Sequence, residues 1–531
     1  MNKKFGPWLL AVIFLSAPLH GWAQANAAGG AEASSFSLFA VGFDALKGTN
    51  AGTTLRDIVA LPETKLLESS IWDRIAPALD GRFVPKTSPG GGNAAALIRP
   101  LLDELLNGSS YLEIRRDARG AFEWLVATRL SEARVRIWRD AAGRLADGWR
   151  VKSAAGTNVL LLISTNSWCA LAALSDSPGA VADWMGRFPN ARAVLERGRP
   201  AEFAPGSWLR AEGDLSLILP DIWTAAGTAP NVTLTVVGKG ETLRTEARLQ
   251  FRNPVNWNLE AWRIPTNSIH DPNGSLMSFT AVRGFRPLIA DWPWVKALGW
   301  GEIPNQLFAW ADTHSQFQIF AAVPLRGAGN WLRQFVGAPM TAFKTNFSLN
   351  GAGEILFRPD DARLIWGGLP LVVPYVLPAG QAANESLVAG VFPLNEPASN
   401  PAPAELFQQL TTKTNLLYYD WEITEARLGQ LRPLTQLLSL IFAYPQVEPE
   451  SPMFHWLDAA TPKLGNTLTE IAVVSPRDLQ LVRTSHIGLN GAELLALAHW
   501  LQTPQFPALP RSIGLRPAPS SPAALVPAPG F

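Results

Sequence analysis

Two hydrophobic periods alternate along this chain. Between residues 55 and 106 apolar positions recur at helical spacing. Ile71, Trp72, Ile75 and Leu79 share one face, and residues 94–106 (AAALIRPLLDELL) predict a second helix, started or kinked at Pro100. The period then falls to two. Residues 111–115 and 122–128 flank Asp117-Ala118-Arg119-Gly120 as a hairpin, and residues 134–139 and 148–152 read as a second hairpin about 140–143. Residues 159–164 predict a buried strand, and 179–196 a helix broken near Pro189. Alternation is cleanest at 243–251. There Leu243, Thr245, Ala247, Leu249 and Phe251 oppose Arg244, Glu246, Arg248 and Gln250. Further along, 306–311 with 316–323 and 345–349 with 354–357 predict hairpins, and 327–337 and 404–412 predict helices. Asn490 with Glu493 three positions on predicts the capped start of a last helix, 490–501.

One pattern occurs twice. Leu209-Arg-Ala-Glu-Gly-Asp-Leu-Ser216 and Leu417-Tyr-Tyr-Asp-Trp-Glu-Ile-Thr424 share an aliphatic residue, two acids one residue apart, an aliphatic and a hydroxyl. Each copy continues into a helical stretch (217–226 and 425–444), a Thr-Leu-Thr (233–235 and 467–469) and another strand. The expected fold is α+β: curved antiparallel sheets with helices packed on one face, in two similar halves, 36–270 and 271–507.

The ends change the picture. Lys3 and Lys4, an apolar run over 8–15 and small residues at Ala23 and Ala25 have the three-part form of a secretory signal peptide, 1–25, cleaved near Ala25. The expected location is therefore the periplasm or the extracellular space. Residues 26–35 read as a linker, and 508–531 as a disordered Pro/Ala-rich tail. No apolar run after residue 25 has membrane-spanning length; 364–377 comes nearest and is broken by Gly367, Gly368, Pro370 and Pro374. Without the leader the balance is 43 basic against 44 acidic residues, which offers no broad basic surface to nucleic acid. Cys169 is the single cysteine, so the fold is held by its core and not by an intramolecular disulfide.

Standard catalytic signatures are absent: no Gly-x-Ser-x-Gly, His-Glu-x-x-His, Walker loop or Cys-x-x-Cys occurs. No cofactor or metal is expected, since no two histidines stand at zinc-ligand spacing. Asp420 and Glu422 share a strand face, as do Glu212 and Asp214. Paired carboxylates suit glycoside hydrolysis, which makes Asp420 and Glu422 the catalytic candidates. Pairing with arginines across the sheet is the bland alternative, and the recurrence of the motif favours it. The tryptophan-rich stretch around Trp292 and Trp294, with Arg283 and Arg286 nearby, is the binding candidate.

At Ser278-Phe-Thr-Ala-Val-Arg-Gly-Phe-Arg-Pro287, Pro304-Asn-Gln-Leu-Phe308, Leu416–Thr424 and Leu464-Gly-Asn-Thr-Leu-Thr-Glu470 the chain resembles large secreted bacterial proteins of unknown function, over roughly 200–507. That resemblance implies export and a mixed helix–sheet fold, and carries over no catalytic residue. The expected function is that of an exported, non-enzymatic protein binding a glycan or other polymer, a lipid or an envelope protein in a groove. A secreted glycan hydrolase is the alternative.

Overall fold

A computed structural model describes residues 34–507, apart from 87–93, 117–121, 219–228, 270–275, 314–317, 342–352, 393–403, 442–449 and scattered shorter gaps. The expected signal peptide 1–25, most of the expected linker and the tail 508–531 lie outside the described residues, as do the expected strand 345–349 and most of the expected helix 217–226. Twenty strands in a large open antiparallel sheet and thirteen α-helices are described, so the fold is mixed α+β. No described helix is long and apolar enough to cross a membrane.

In chain order the elements begin with β1 (Ser35–Ala40), α1 (Phe43–Leu46), α2 (Thr53–Val59), α3 (Pro62–Asp80), β2 (Phe83–Pro85) and α4 (Ala94–Leu105). There follow β3 (Ser110–Arg116), β4 (Phe122–Arg129), α5 (Glu132–Gly148), β5 (Trp149–Ser153), β6 (Gly156–Ser164) and β7 (Trp168–Ser175). Then come α6 (Trp184–Arg187), α7 (Pro189–Arg197), β8 (Ser207–Asp214), β9 (Asn231–Lys239) and β10 (Thr242–Gln250). The next stretch holds β11 (Leu276–Arg283), α8 (Arg286–Ile289), β12 (Gln306–Asp312), β13 (Ile319–Pro324), α9 (Ala328–Phe335), β14 (Glu354–Arg358) and β15 (Arg363–Gly367). It continues with β16 (Tyr375–Ala379), β17 (Ser386–Gly390), α10 (Ala404–Thr412), β18 (Leu416–Ile423) and α11 (Thr424–Ile441). The chain closes with α12 (Pro452–Ala460), β19 (Asn466–Ser475), β20 (Asp478–Ser485) and α13 (Gly491–Gln502).

These elements pack as two compact units. The first lies within Met1–Val255, Trp421–Leu428 and Val447–Pro510, the second within Asn256–Asp420 and Gly429–Gln446. In the first unit the strands run β2-β5-β6-β7-β4-β3-β1-β8-β9-β10-β20-β19, every neighbour antiparallel. In the second they run β14-β15-β16-β17-β13-β12-β11, with β18 beside β11.

Helices lie on both faces of the first unit's sheet, which corrects the expectation of one covered face. Side chains alternate along each strand, so Ser37, Phe39, Tyr111, Glu113, Leu125 and Ala127 point one way. Phe39, Tyr111, Leu125 and Ala127 meet Ala191, Val194 and Leu195 of α7 in one hydrophobic cluster. On the opposite face, Gly143 of α5 lies against Leu162 of β6.

Residues 134–139 are not a strand. They belong to α5, whose buried Val135, Trp138, Ala141, Ala142, Leu145 and Ala146 recur at helical spacing. Six residues are too short a window to separate the two periods; the longer span decides it. The Trp138 indole N–H donates to the Leu101 carbonyl at 3.2 Å, tying α5 to α4.

Candidate functional site

The site is built on three adjacent strands of the first unit. In the ladder β3-β1-β8, Phe39 stands between Tyr111 and Arg210, and Ser37 between Glu113 and Glu212. The pleat points all six side chains to the face that α7 covers. Asn190 and Ala193 of α7, with Pro200 beyond it, complete a cavity of about 150 Å³ lined by Ser37, Phe39, Tyr111, Arg210 and Glu212. Strand pairing thus joins residues that lie far apart in the chain, and a short helix roofs them.

Behind this wall sits Glu113, 1% exposed. Its Oε2 accepts the Tyr111 hydroxyl at 2.8 Å and the Ala191 N–H at 3.0 Å. Ala191 is in the first turn of α7, where backbone N–H groups lack partners within the helix. The carboxyl therefore closes that helix end from a neighbouring strand. Burial pushes Glu113 up to about 7; the hydrogen bonds from Tyr111 and Ala191 pull against it, and Glu212 adds a smaller push upward. Burial also holds the Tyr111 phenol well above its ordinary value, with Glu113 the next cause. At the cavity wall, Arg210 donates Nε and Nη2 to Glu212 Oε2 at 3.2 and 2.7 Å. A titratable carboxyl shifted toward neutrality beside a cavity marks a functional-site candidate on physical grounds.

A second buried acid nearby is held by two arginines and a serine. Glu123 is inaccessible to solvent; its Oε1 accepts the Ser175 N–H at 2.8 Å and hydroxyl at 2.6 Å, and it pairs with Arg187 and Arg115. Removing one partner of such a set strands a buried charge, so its role is structural.

The residues expected from the sequence take other places. Asp420 is buried and accepts the Thr280 hydroxyl at 2.6 Å. Glu422, also buried, accepts the Thr424 hydroxyl at 2.8 Å and the Gly491 N–H at 2.6 Å, at the start of α13. Asp214 accepts the Ser216 N–H at 2.8 Å and pairs with Arg252 at 3.4 Å. Of the four motif acids, only Glu212 lines the cavity.

Arg283, 2% exposed, donates to the carbonyls of Leu416, Thr414 and Glu260 and lies 4.4 Å over the Trp262 ring. It braces three backbone segments, and burial lowers its pKa. Arg286 pairs with Glu260 and Glu302, each at 3.0 Å. Trp292 is exposed, and Trp294 lies outside the described residues. Cys169 is buried, and burial raises its pKa, as suits an inert thiol. Among the described residues no group of His, Cys, Asp and Glu is placed to hold a metal ion.

Sequence reasoning missed Ser37, Phe39, Tyr111, Glu113, Asn190 and Arg210 as site residues. The one signal available was Tyr111-Leu-Glu113, an aromatic and an acid on one face of a predicted strand. No family model, curated protein or solved structure matches the chain.

Proposed function

We propose that this chain is an exported, non-enzymatic binding protein that seats a small polar ligand, or one unit of a longer molecule, in the cavity of its first unit. The carrying observation is the cavity itself. Its wall combines an aromatic platform, Phe39 and Tyr111, with a hydroxyl, an amide and an Arg–Glu pair. Apolar surface with a few placed polar groups is the composition of a recognition site. The buried Glu113 anchors Tyr111 and the first turn of α7, so two walls are held before a ligand arrives. Export rests on the leader pattern of residues 1–25 and on the resemblance to secreted bacterial proteins.

The chain is, on this reading, a duplicated one. Supporting it, β1-β3-β4-β7-β6 with β8 on the free side of β1 has the same pairing order as β11-β12-β13-β17-β16 with β18 beside β11. The hairpin β9-β10 follows β8 in the chain, as the hairpin β19-β20 follows β18.

The test is calorimetric titration of the full chain with a panel of monosaccharides, amino acids, amines, short glycans, lipids and peptides. A ligand that binds the native protein and loses at least tenfold in affinity to Ala193→Phe, which fills the cavity from the roof, supports the seat. A panel whose binders are all indifferent to Ala193→Phe removes it. Export has its own test: the protein recovered from intact cells should start near Asn26, outside the cytosol.

A further inference from the structure

We infer that the cavity's ligand carries a primary ammonium on a compact apolar stem, the ammonium held by Glu212, Ser37 and Asn190 and the stem lying along Phe39, Ala193 and Pro200. This rests on the reading of the cavity as a ligand seat.

The donor and acceptor balance of the wall carries the argument. An alkylammonium has three N–H donors and no acceptor. Beside the donors of Arg210 and the Asn190 amide, the cavity offers three acceptors: the Glu212 carboxyl, the Ser37 hydroxyl and the Asn190 side-chain carbonyl. Ser37 and Glu212 stand opposite one another across β1 and β8, so both reach one bound nitrogen. Arg210 places both of its bonds to Glu212 on Oε2, and Oε1 has no hydrogen-bond partner among the described residues. Phe39 and Tyr111 also line the cavity, and aromatic rings attract organic cations.

Charge points the same way. Among the described residues Arg210 is the one cation lining the cavity, and it pairs with Glu212. Glu113 lies behind in the same lateral row. An anionic ligand would face the Glu212 carboxylate beside a guanidinium that Glu212 already pairs. A neutral polyol satisfies the hydroxyl and amide and leaves Glu212 Oε1 without a charge-assisted donor. Burial leads the upward shifts of Glu113 and Tyr111, and Glu212 adds a smaller push to each.

The experiment compares n-butylamine with n-butanol, its neutral isostere, by NMR titration of the full chain at pH 7.5 and low salt. The expected result is at least tenfold tighter binding of the amine. Glu212→Gln should erase that preference. Arg210→Gln should instead strengthen amine binding severalfold, because it removes the competing cation; a merely structural Arg210 would not give that sign. Ala193→Phe should block the amine. Equal binding of amine and alcohol, or weaker amine binding in Arg210→Gln, overturns the ammonium assignment and leaves the seat intact. Amine binding that survives Ala193→Phe places the amine elsewhere and also overturns it. Should Glu212→Gln fail to fold, the Arg210 and Ala193 variants still decide.

Discussion

The two units solve a similar problem, an acid on a sheet face, in different ways. In the first, Glu113, Ser37 and Glu212 form one lateral row, and α7 closes over it. In the second, Thr280 stands opposite Ala309 and donates to Asp420. Here α10 packs on the other face: Phe407 meets Phe279 edge-on, and Gln409 accepts from the Tyr419 hydroxyl. Residues 279 and 280 alternate across the sheet, as do 419 and 420. One unit thus has two acids in a roofed row with a cavity; in the other, Asp420 accepts from the Thr280 hydroxyl. A shared strand order does not give a shared site. The site follows from which face the helix covers and from whether the row holds a second carboxyl.

The largest effect that would break this comparison is the pH dependence of Glu113. Its pKa is near 7 in the folded protein against 4.5 as the ordinary value. The folded state therefore binds more protons than the unfolded state between those values, and stability falls as pH rises through that window. The loss is about 3 kcal/mol from one group. The stabilisation is fully present below pH 4.5 and is lost once pH passes the folded value. Urea denaturation from pH 4.5 to 8 should show this decline, and Glu113→Gln should flatten it. An unchanged slope in the variant would falsify the buried-acid assignment.

Next in size is Glu422→Gln. It removes a charged acceptor from the Gly491 N–H at the start of α13 and should cost about 1–3 kcal/mol in the denaturation midpoint. If Glu422 also supported glycan turnover, a substrate screen of the native chain would register it independently.

Smaller again is Thr280→Val in the second unit. It strips the 2.6 Å hydroxyl donor from the buried Asp420 and should cost about 1 kcal/mol in the denaturation midpoint. An unchanged midpoint would remove the structural role given to that bond. The smallest effect belongs to Trp292, which is 41% exposed. Trp292→Ala should shift stability by no more than about 0.5 kcal/mol and leave ligand affinity at the cavity unchanged. A tenfold loss would move the binding site to the second unit.

Much of the local structure was legible. Asn490 and Glu493 form both bonds of a capping box at the start of α13. The alternation at 243–251 matches β10, whose Leu243, Thr245 and Ala247 are buried while Arg244, Glu246 and Arg248 face solvent. These features depend on neighbours within a few residues, so periodicity and cap chemistry suffice to see them. The strand β1 was harder to recognise, because it begins where the expected linker ends and only Ser35–Ala40 carry its pattern. The segment 364–377, read as a broken apolar run, is divided between β15 and β16, with the glycines and prolines in and beside their connection. Arg283 beside the tryptophans invited a ligand reading, yet its donors reach backbone carbonyls of residues more than a hundred positions away.

By itself the sequence determined the alternation of helical and extended segments, the cap of the last helix, the doubled acid motif and the lack of covalent bridges. Each is set by residues a few positions apart or by composition. Only the tertiary structure decided that Glu113 would be buried under a helix turn 78 positions away, and that Ser37, Tyr111, Asn190 and Arg210 would enclose one space. A carboxyl's proton affinity depends on what removes its water and what donates to it, and strands and helices distant in the chain supply both here.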